Sequence, residues 1–367
     1  MKTLSRQDLV DLLHGAAILG TGGGGELDEG LALIDQALAA GKTFRLASID
    51  DVPDDALLCT PYLLGAISEP TPEEAAQYER LPKATQPAIL HAYSRFQDYL
   101  GQEFYGTLAC EMGGTNTAIA FFAAAMNGHV IIDADPAGRA VPEITHSTYY
   151  LNDLPAAPIV MANSFGESFI AEHVLDDKRA EAIVRSLAIV SRNDIAAIDH
   201  ALPAKALRGA VIKGTMTQAL TLGRSWREAM ERGEDPARAI ASVGSGKIVF
   251  DGEVGDSNWA TKGGFTLGEI CLEGQGENSG QSMRIRLKNE NMVAWLDERV
   301  FATIPELICL IDKDTGKPVT NPNYRRGQSV SVVILPAPAA FTTERGLATF
   351  GPAYAGVEGP FMPQIRG

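Results

Sequence analysis

At 367 residues, with 45% hydrophobic and 21% charged residues, the chain has a globular composition and too much length for one ordinary core. Its formal net charge of −15 argues against nucleic acid or an anionic membrane surface as a partner, because both select a basic face. Cys59, Cys110, Cys271 and Cys309 stand far apart with no Cys-x-x-Cys pair, which disfavours a disulfide framework or zinc ribbon and makes a reducing compartment the expectation.

The opening residues MKTLSRQDLVDLL mix charges among apolar positions, and no uninterrupted apolar stretch is long enough to span a bilayer, so a cytoplasmic location without a membrane partner is expected. Ser5 followed by Asp8 reads as a capping box, and Leu9, Leu12, Leu13 and Ala16 keep helical spacing up to GTGGGG at 20–25. A second helical pattern covers Leu27 to Ala40, and LLCTPYLL at 57–64 reads as a strand. TPEE at 71–74 is a helix start, with Thr71 as cap, Pro72 in the first turn and Glu74 capping back; a further helix over 86–100 stops at Gly101.

Residues 107–110 then read as a strand, 116–126 as an alanine-rich helix and 129–133 as a second strand, a βαβ unit that favours parallel pairing. IVMA at 159–162 is another strand. From about 177 to 240 the pattern is mostly helical, with a long segment around 204–232, and after Gly246 it is β-rich with glycine-containing turns. The expected architecture is α/β plus α+β. An N-terminal α/β domain (1–165) holds a mainly parallel sheet, Gly-rich loops and the candidate active site. A C-terminal domain (166–367) has helices followed by a β-rich part.

The βαβ unit puts Glu111 at the carboxyl end of one strand, with Gly113, Gly114, Thr115 and Asn116 opening the following helix, where free N–H groups favour an anionic oxygen. The next strand leads into DADPAGRAVPE (133–143), which carries Asp133, Asp135, Arg139 and Glu143. Ligands of open α/β sheets sit outside the carboxyl ends of the strands, so Glu111, Asp133 and Asp135 are expected at one edge, dividing base and acid work. The plainer alternative has Asp133 and Asp135 capping a turn before Pro136 and Glu111 on the surface or paired with an arginine. Gly22, Gly23 and Gly24 permit close approach to a ligand or form a helix cap and tight crossover; no strand precedes them, which rules out a dinucleotide fingerprint. Cys110 reads as a small buried hydrophobe rather than a nucleophile. The six histidines form no metal motif, so no cofactor is predicted; a divalent metal on Asp133, Asp135 and His146 is left open. Asn289-Glu290-Asn291 either turns the chain between strands or completes the pocket from the second domain.

LGTGGGG (19–25), EMGGTN (111–116), DADPAGRAVPE (133–143), GFTLGEICLEG (264–274), IRLKNENMVAW (285–295), IPELICLIDKDTGKPVTN (304–321) and RRGQSVSVVILPAP (325–338) together resemble, in order and spacing, the bacterial DUF917 family. That family is linked to S-methyl thiohydantoin desulfurase and described as hydantoin-utilisation-like. The resemblance spans nearly the whole chain; Glu306 stands where aspartate is commoner. It implies a two-domain hydrolase of a small cyclic amide- or amidine-like substrate, in which water adds at the sulfur-bearing carbon and methanethiol leaves. On the topology above, Glu111 or Asp133 would be base, Asp135 acid, the Gly113–Asn116 stretch donor, and Arg139 the anchor of a substrate carboxylate. The competing readings are a non-catalytic small-molecule binding or regulatory subunit and a nucleotide-dependent ring opener with a phosphate hairpin at GGTNT. A homo-oligomer is expected only because homo-oligomers are common.

Overall fold

A helix that is apolar on every side can be stable only in an interior. The alanine-rich helix Gly114–Asn127 meets that condition: every side chain from Ala118 to Ala125 is buried, between the helix Leu27–Ala39 and the face of a sheet. The structure, a computed structural model, describes residues 1–66 and 71–365.

The sheet over this helix has eight strands, in the order Lys2–Leu4, Phe44–Ala47, Val130–Ile132, Gly106–Thr107, Leu57–Gly65, Asp194–Pro203, Ile159–Ala162 and Ser168–Ala171. The four strands from Phe44–Ala47 to Leu57–Gly65 run parallel, and the flanking pairs are antiparallel. Gly106–Thr107 and Val130–Ile132, joined by the buried helix, are neighbours in parallel, as the βαβ pattern required. The first of them is shorter than predicted: Leu108–Cys110 leaves the ladder and carries the chain to Glu111.

Local caps form where the sequence placed them. Ser5 and Asp8 close a capping box on helix Arg6–Leu19, Thr71 and Glu74 close another on Pro72–Glu79, and Gly101 ends Ala88–Leu100 in the left-handed conformation. The prediction of helix across 177–240 needs correction at two places: a strand precedes residue 204, and the long segment expected around 204–232 divides into the short helix Ala204–Leu207, the strand Ile212–Lys213 and the helix Thr215–Arg232. Between the helices Asp177–Val190 and Thr215–Arg232 lies the ten-residue strand Asp194–Pro203, paired antiparallel to Leu57–Gly65 and Ile159–Ala162. Both of its faces are buried from Ile195 to His200, so its sequence lacks the alternation that marks a half-exposed strand.

The remaining β structure is an antiparallel eight-stranded sheet, ordered Arg299–Thr303, Glu290–Leu296, Ser282–Lys288, Phe265–Gly274, Lys247–Val254, Ser329–Leu335 and Leu307–Asp312, with Asn258–Lys262 paired to Phe265–Gly274. Ser282–Lys288 buries every second residue, the pattern of a strand with one face on a core. Thr215–Arg232 packs along Arg6–Leu19, and Ile212–Lys213 pairs with Ala134–Asp135, so later residues brace the edge of the first sheet. Among the described residues no helix is long and apolar enough to cross a membrane.

Candidate functional site

The two Gly-rich segments meet backbone to backbone. The Gly24 carbonyl accepts hydrogen bonds from Thr115 N (3.1 Å) and Asn116 N (3.0 Å), the first free donors of helix Gly114–Asn127. Gly24 has φ +75°, and a Cβ there would lie 2.5 Å from Gly113 Cα, so this contact requires glycine. Gly113 N donates to Thr117 Oγ1 (3.0 Å), and Thr115 Oγ1 to the Glu26 carbonyl (2.8 Å). Three of the four backbone donors expected to serve a ligand, those of Gly113, Thr115 and Asn116, are thus taken up inside the protein. Residues 113–117 open a helix, where the nucleotide-dependent reading asked for a hairpin.

What the junction does instead is aim one carboxylate. Asn116 Oδ1 accepts from Leu63 N (2.9 Å), which fixes the amide so that Nδ2 donates to Glu111 Oε1 (2.7 Å). Val141 N donates to Glu111 Oε2 (2.7 Å). Glu111 is buried and lines a cleft of about 580 Å³ that both halves of the chain wall in. Gly22, Gly23, Gly24, Gly25, Thr115 and Asn116 line it from the first half, and Asn289, Glu290 and Asn321 from the second.

Glu290 is a second buried carboxyl of the lining, which also includes Glu181 and Asp199; with Glu111 it forms the floor. A Cβ on Gly23 would sit 2.1 Å from Glu290 Oε1, so the Gly-rich loop gives this side chain its space. Glu290 Oε2 has no hydrogen-bond partner. Burial pushes the Glu111 carboxyl up to about 7, although the bonds from Asn116 and Val141 oppose it. Burial and then the Glu111 charge hold Glu290 well above the usual carboxylate range. Behind them, burial brings the Arg139 guanidinium down to about 10 against the support of Glu290, Cys309 and Glu111. Two buried carboxyls facing one buried guanidinium are balanced when they hold a single proton between them.

The turn and pocket readings of Asn289-Glu290-Asn291 are both realised. Asn289 takes φ +58° and accepts from Thr266 N, while Asn291 N donates to the Thr21 carbonyl (2.9 Å) and so ties the strand to the Gly-rich loop. Asn321 N donates to the Gly22 carbonyl (2.8 Å), and its Nδ2 to Asn289 O (2.8 Å) and Asn291 Oδ1 (3.0 Å).

The other expected residues are placed differently. Asp133 lies outside the cleft lining; it accepts from Thr217 N (3.0 Å) and Thr217 Oγ1 and so caps helix Thr215–Arg232. Asp135 is also outside the lining, fully buried, accepting from Ala137 N (2.9 Å) and Gly138 N (2.7 Å), and burial pushes it up to about 6. Asp135 thus holds the turn around Pro136, close to the capping alternative, whereas Asp133 caps a distant helix that this alternative did not foresee. Arg139 is buried and donates to Ala140 O, Pro305 O, Glu306 O and Thr21 Oγ1, a structural cross-link rather than a free anchor. Glu143 lines the cleft; burial raises it, but bonds from Lys288 and Tyr354 prevail and hold it low. His146 lies between Phe350 and Tyr354, and burial lowers it to about 3. Among the described residues, no group of three or more His, Cys, Asp or Glu is arranged to hold a metal ion. Glu306 accepts from Ile365 N (2.8 Å) and belongs to the packing of the chain's end.

Sequence reasoning missed one wall. Asp199 accepts from Tyr62 Oη (3.0 Å) and lies 2.7 Å from His200 Nδ1; His200 Nε2 faces the Leu154 carbonyl, and its ring lies against Tyr149, whose hydroxyl meets Thr60 Oγ1. All five side chains are buried and line the cleft. The only local signal was an Asp-His pair inside an apolar run, and reading that run as helix concealed it. Cys110 is on the same side; burial, then Glu111, Asp199 and Asp135, hold its thiol well above the ordinary value, in keeping with a hydrophobe rather than a nucleophile.

Family comparisons agree with this two-part construction. The S-Me-THD-like N-terminal domain matches residues 7–173 and the S-Me-THD-like C-terminal domain residues 175–364. No curated protein matches. A crystal structure of a protein from Chromobacterium violaceum, from the Northeast Structural Genomics Consortium, has a TM-score of 0.75 to this chain at 23% identity, covering 99% of this chain and 100% of that one. At that identity the likeness is one of fold. Both domain matches run in sequence along the chain, which therefore belongs to the S-Me-THD-like family, that of S-methyl thiohydantoin desulfurase-like proteins.

Proposed function

We propose that the protein is a hydrolase of a small cyclic amidine- or amide-like substrate of the S-methyl thiohydantoin type, with Glu111 as base and Glu290 as acid. The observation that carries this reading is the pair of buried carboxyls, one from each half, on the floor of a cleft of about 580 Å³. A cleft of that size is ordinary for a small molecule. Two carboxyls that hold one proton supply one ionised and one neutral group at the same pH, which is what acid–base hydrolysis needs.

Ionised Glu111, held by Asn116 and Val141, takes a proton from water as its oxygen adds to the sulfur-bearing ring carbon. Glu290 gives its proton to the ring nitrogen of the C=N bond. When the tetrahedral adduct collapses, the C–S bond breaks and the thiolate takes the proton held by Glu111. The adduct hydroxyl returns its proton to Glu290 as the C=O bond forms. Methanethiol and a hydantoin leave, and both carboxyls are back in their starting state. Arg139 stabilises the single negative charge throughout.

The test is methanethiol release from S-methyl thiohydantoins, with and without chelator, by the wild type and Glu111→Gln. Release that survives chelation and falls by roughly 10²–10⁴ in the variant is expected for loss of a general base. Undiminished release by Glu111→Gln would remove the base assignment. No release from any compound of the class would put the non-catalytic binding subunit ahead.

A further inference from the structure

Two residues of the cleft lining each carry a buried oxygen without a hydrogen-bond partner: Oε2 of Glu290, a residue 2% exposed, and Oδ1 of Asn321, a residue 6% exposed. Buried polar atoms in native proteins are paired almost without exception, and an orphan at a ligand cleft marks where a ligand or water supplies the partner. The Asn321 amide is not free to turn, because its Nδ2 donates to Asn289 O (2.8 Å) and Asn291 Oδ1 (3.0 Å). Its Oδ1 can therefore only accept, and the ligand must bring it a donor. Glu290 Oε2 is different: in the neutral carboxyl it can give a proton, and in the carboxylate it can accept one.

An acceptor beside a group able to give a proton is complementary to an amidine edge, –NH–C=N–, which offers one N–H and one basic nitrogen. A carboxylate substituent finds little complement there: Glu26, Glu29 and Glu111 line the same cleft, and the basic lining residue Arg185 is already bonded to Glu181, Gly264 O and Pro142 O.

We propose that Asn321 and Glu290 read the two ring nitrogens of the substrate, so that the cleft takes cyclic amidines with a free ring N–H and rejects those methylated on that nitrogen. The inference rests on the hydrolase reading for its ring class, and it adds the residue that sets specificity. Asn321 accepts the N–H hydrogen bond and positions the ring; Glu290 meets the imine nitrogen, which the reaction protonates. The carbon between the two nitrogens, which bears the sulfur, then lies at the floor beside Glu111.

The experiment uses the intact wild-type protein and two readouts. Calorimetry compares hydantoin, 1-methylhydantoin, 3-methylhydantoin and 5-methylhydantoin, and methanethiol release compares S-methyl thiohydantoins with and without a ring N-methyl group. The expected result is that 5-methylhydantoin binds within about threefold of hydantoin while at least one N-methyl compound binds roughly tenfold or more weakly, as for a site left with an unpaired acceptor. Equal binding of all four compounds, or no binding of hydantoin, overturns the inference. Release that is indifferent to ring N-methylation also overturns it and leaves the hydrolase reading standing. N–H-selective binding without any methanethiol release does the reverse. Asn321→Asp keeps an acceptor oxygen and should retain the N-methyl discrimination if it folds, whereas Asn321→Ser should lose it.

Discussion

The floor of the cleft and the wall made by strands Leu57–Gly65 and Asp194–Pro203 are alike in burial and polarity but opposite in how their polar groups are settled. On the wall, Thr60 meets Tyr149, and Tyr62 and His200 both meet Asp199, so the hydrogen bonds close on one another. On the floor, Glu290 and Asn321 each keep an unpartnered oxygen, and burial raises both the Glu111 and the Glu290 carboxyl above the usual range. Leaving such groups open costs stability, and proteins retain that cost where a ligand settles it. On the proposed function, what sets the floor apart from the wall is its open valences and not its burial or charge.

The largest effect should appear when that contrast is tested on activity. Glu290→Gln removes the proton donor of the floor and should lower kcat/KM for methanethiol release by roughly 10²–10⁴, the range of a lost general acid. His200→Asn keeps a residue tolerant of the left-handed backbone at φ +44° and should lower it less than about tenfold, because both ring nitrogens face protein acceptors. If the His200 variant loses as much as the Glu290 variant with its folding intact, the wall is part of the chemistry and the comparison fails.

Next in size is Arg139, whose charge makes the floor tolerable. It is fully buried and ties Ala140, Pro305, Glu306 and Thr21 together in addition to facing Glu290 and Glu111. Breaking one partner out of a buried charge set costs about 3–5 kcal/mol, and Arg139→Met should lose on that order in urea unfolding. A loss under about 1 kcal/mol would mean that the floor carboxyls need no counter-charge, against the shared-proton picture.

Much of the first half was legible because its determinants are local. The Ser5–Asp8 and Thr71–Glu74 boxes act within one turn, and the all-apolar 118–126 stretch has only one place to go. The place of Glu111 in the cleft lining was legible for a related reason: a short strand followed by Gly-Gly leaves little but the sheet edge for the residue between them. What the sequence hid was long-range. Nothing near Gly113 says that Gly24, some ninety residues earlier, takes the helix donors, and nothing near Glu111 says that Glu290 is its partner. Asp133 and Asp135 looked equivalent to Glu111 by position, yet helix Thr215–Arg232 draws one of them away as a cap and a turn encloses the other. Asp199 and His200 were missed because a strand buried on both faces has no periodicity to read.

The smallest expected effect is on stability against pH. Burial pushes Glu111 and Glu306 up to about 7 and Glu290 in the same direction, from an ordinary value of 4.5. Between pH 6.5 and 8 the unfolded chain has already released these protons while the native state still holds part of them, so fewer protons are bound on unfolding and stability must fall as pH rises. His146, lowered from 6.5 to about 3, acts in the opposite sense, but only below about pH 6.5, where its unfolded form takes up a proton. The upper window therefore belongs to the carboxyls, and the fall across it should be roughly 1–2 kcal/mol, read as a lower Tm at pH 8 than at pH 6.5. Activity should move the other way there, since Glu111 must be ionised to take a proton from water. His200→Asn should keep the slope, and Glu290→Gln should flatten it. A Tm that is constant or rises from pH 6.5 to 8 in the wild type would mean that the floor is not protonated, and Glu290 would then have no proton to give.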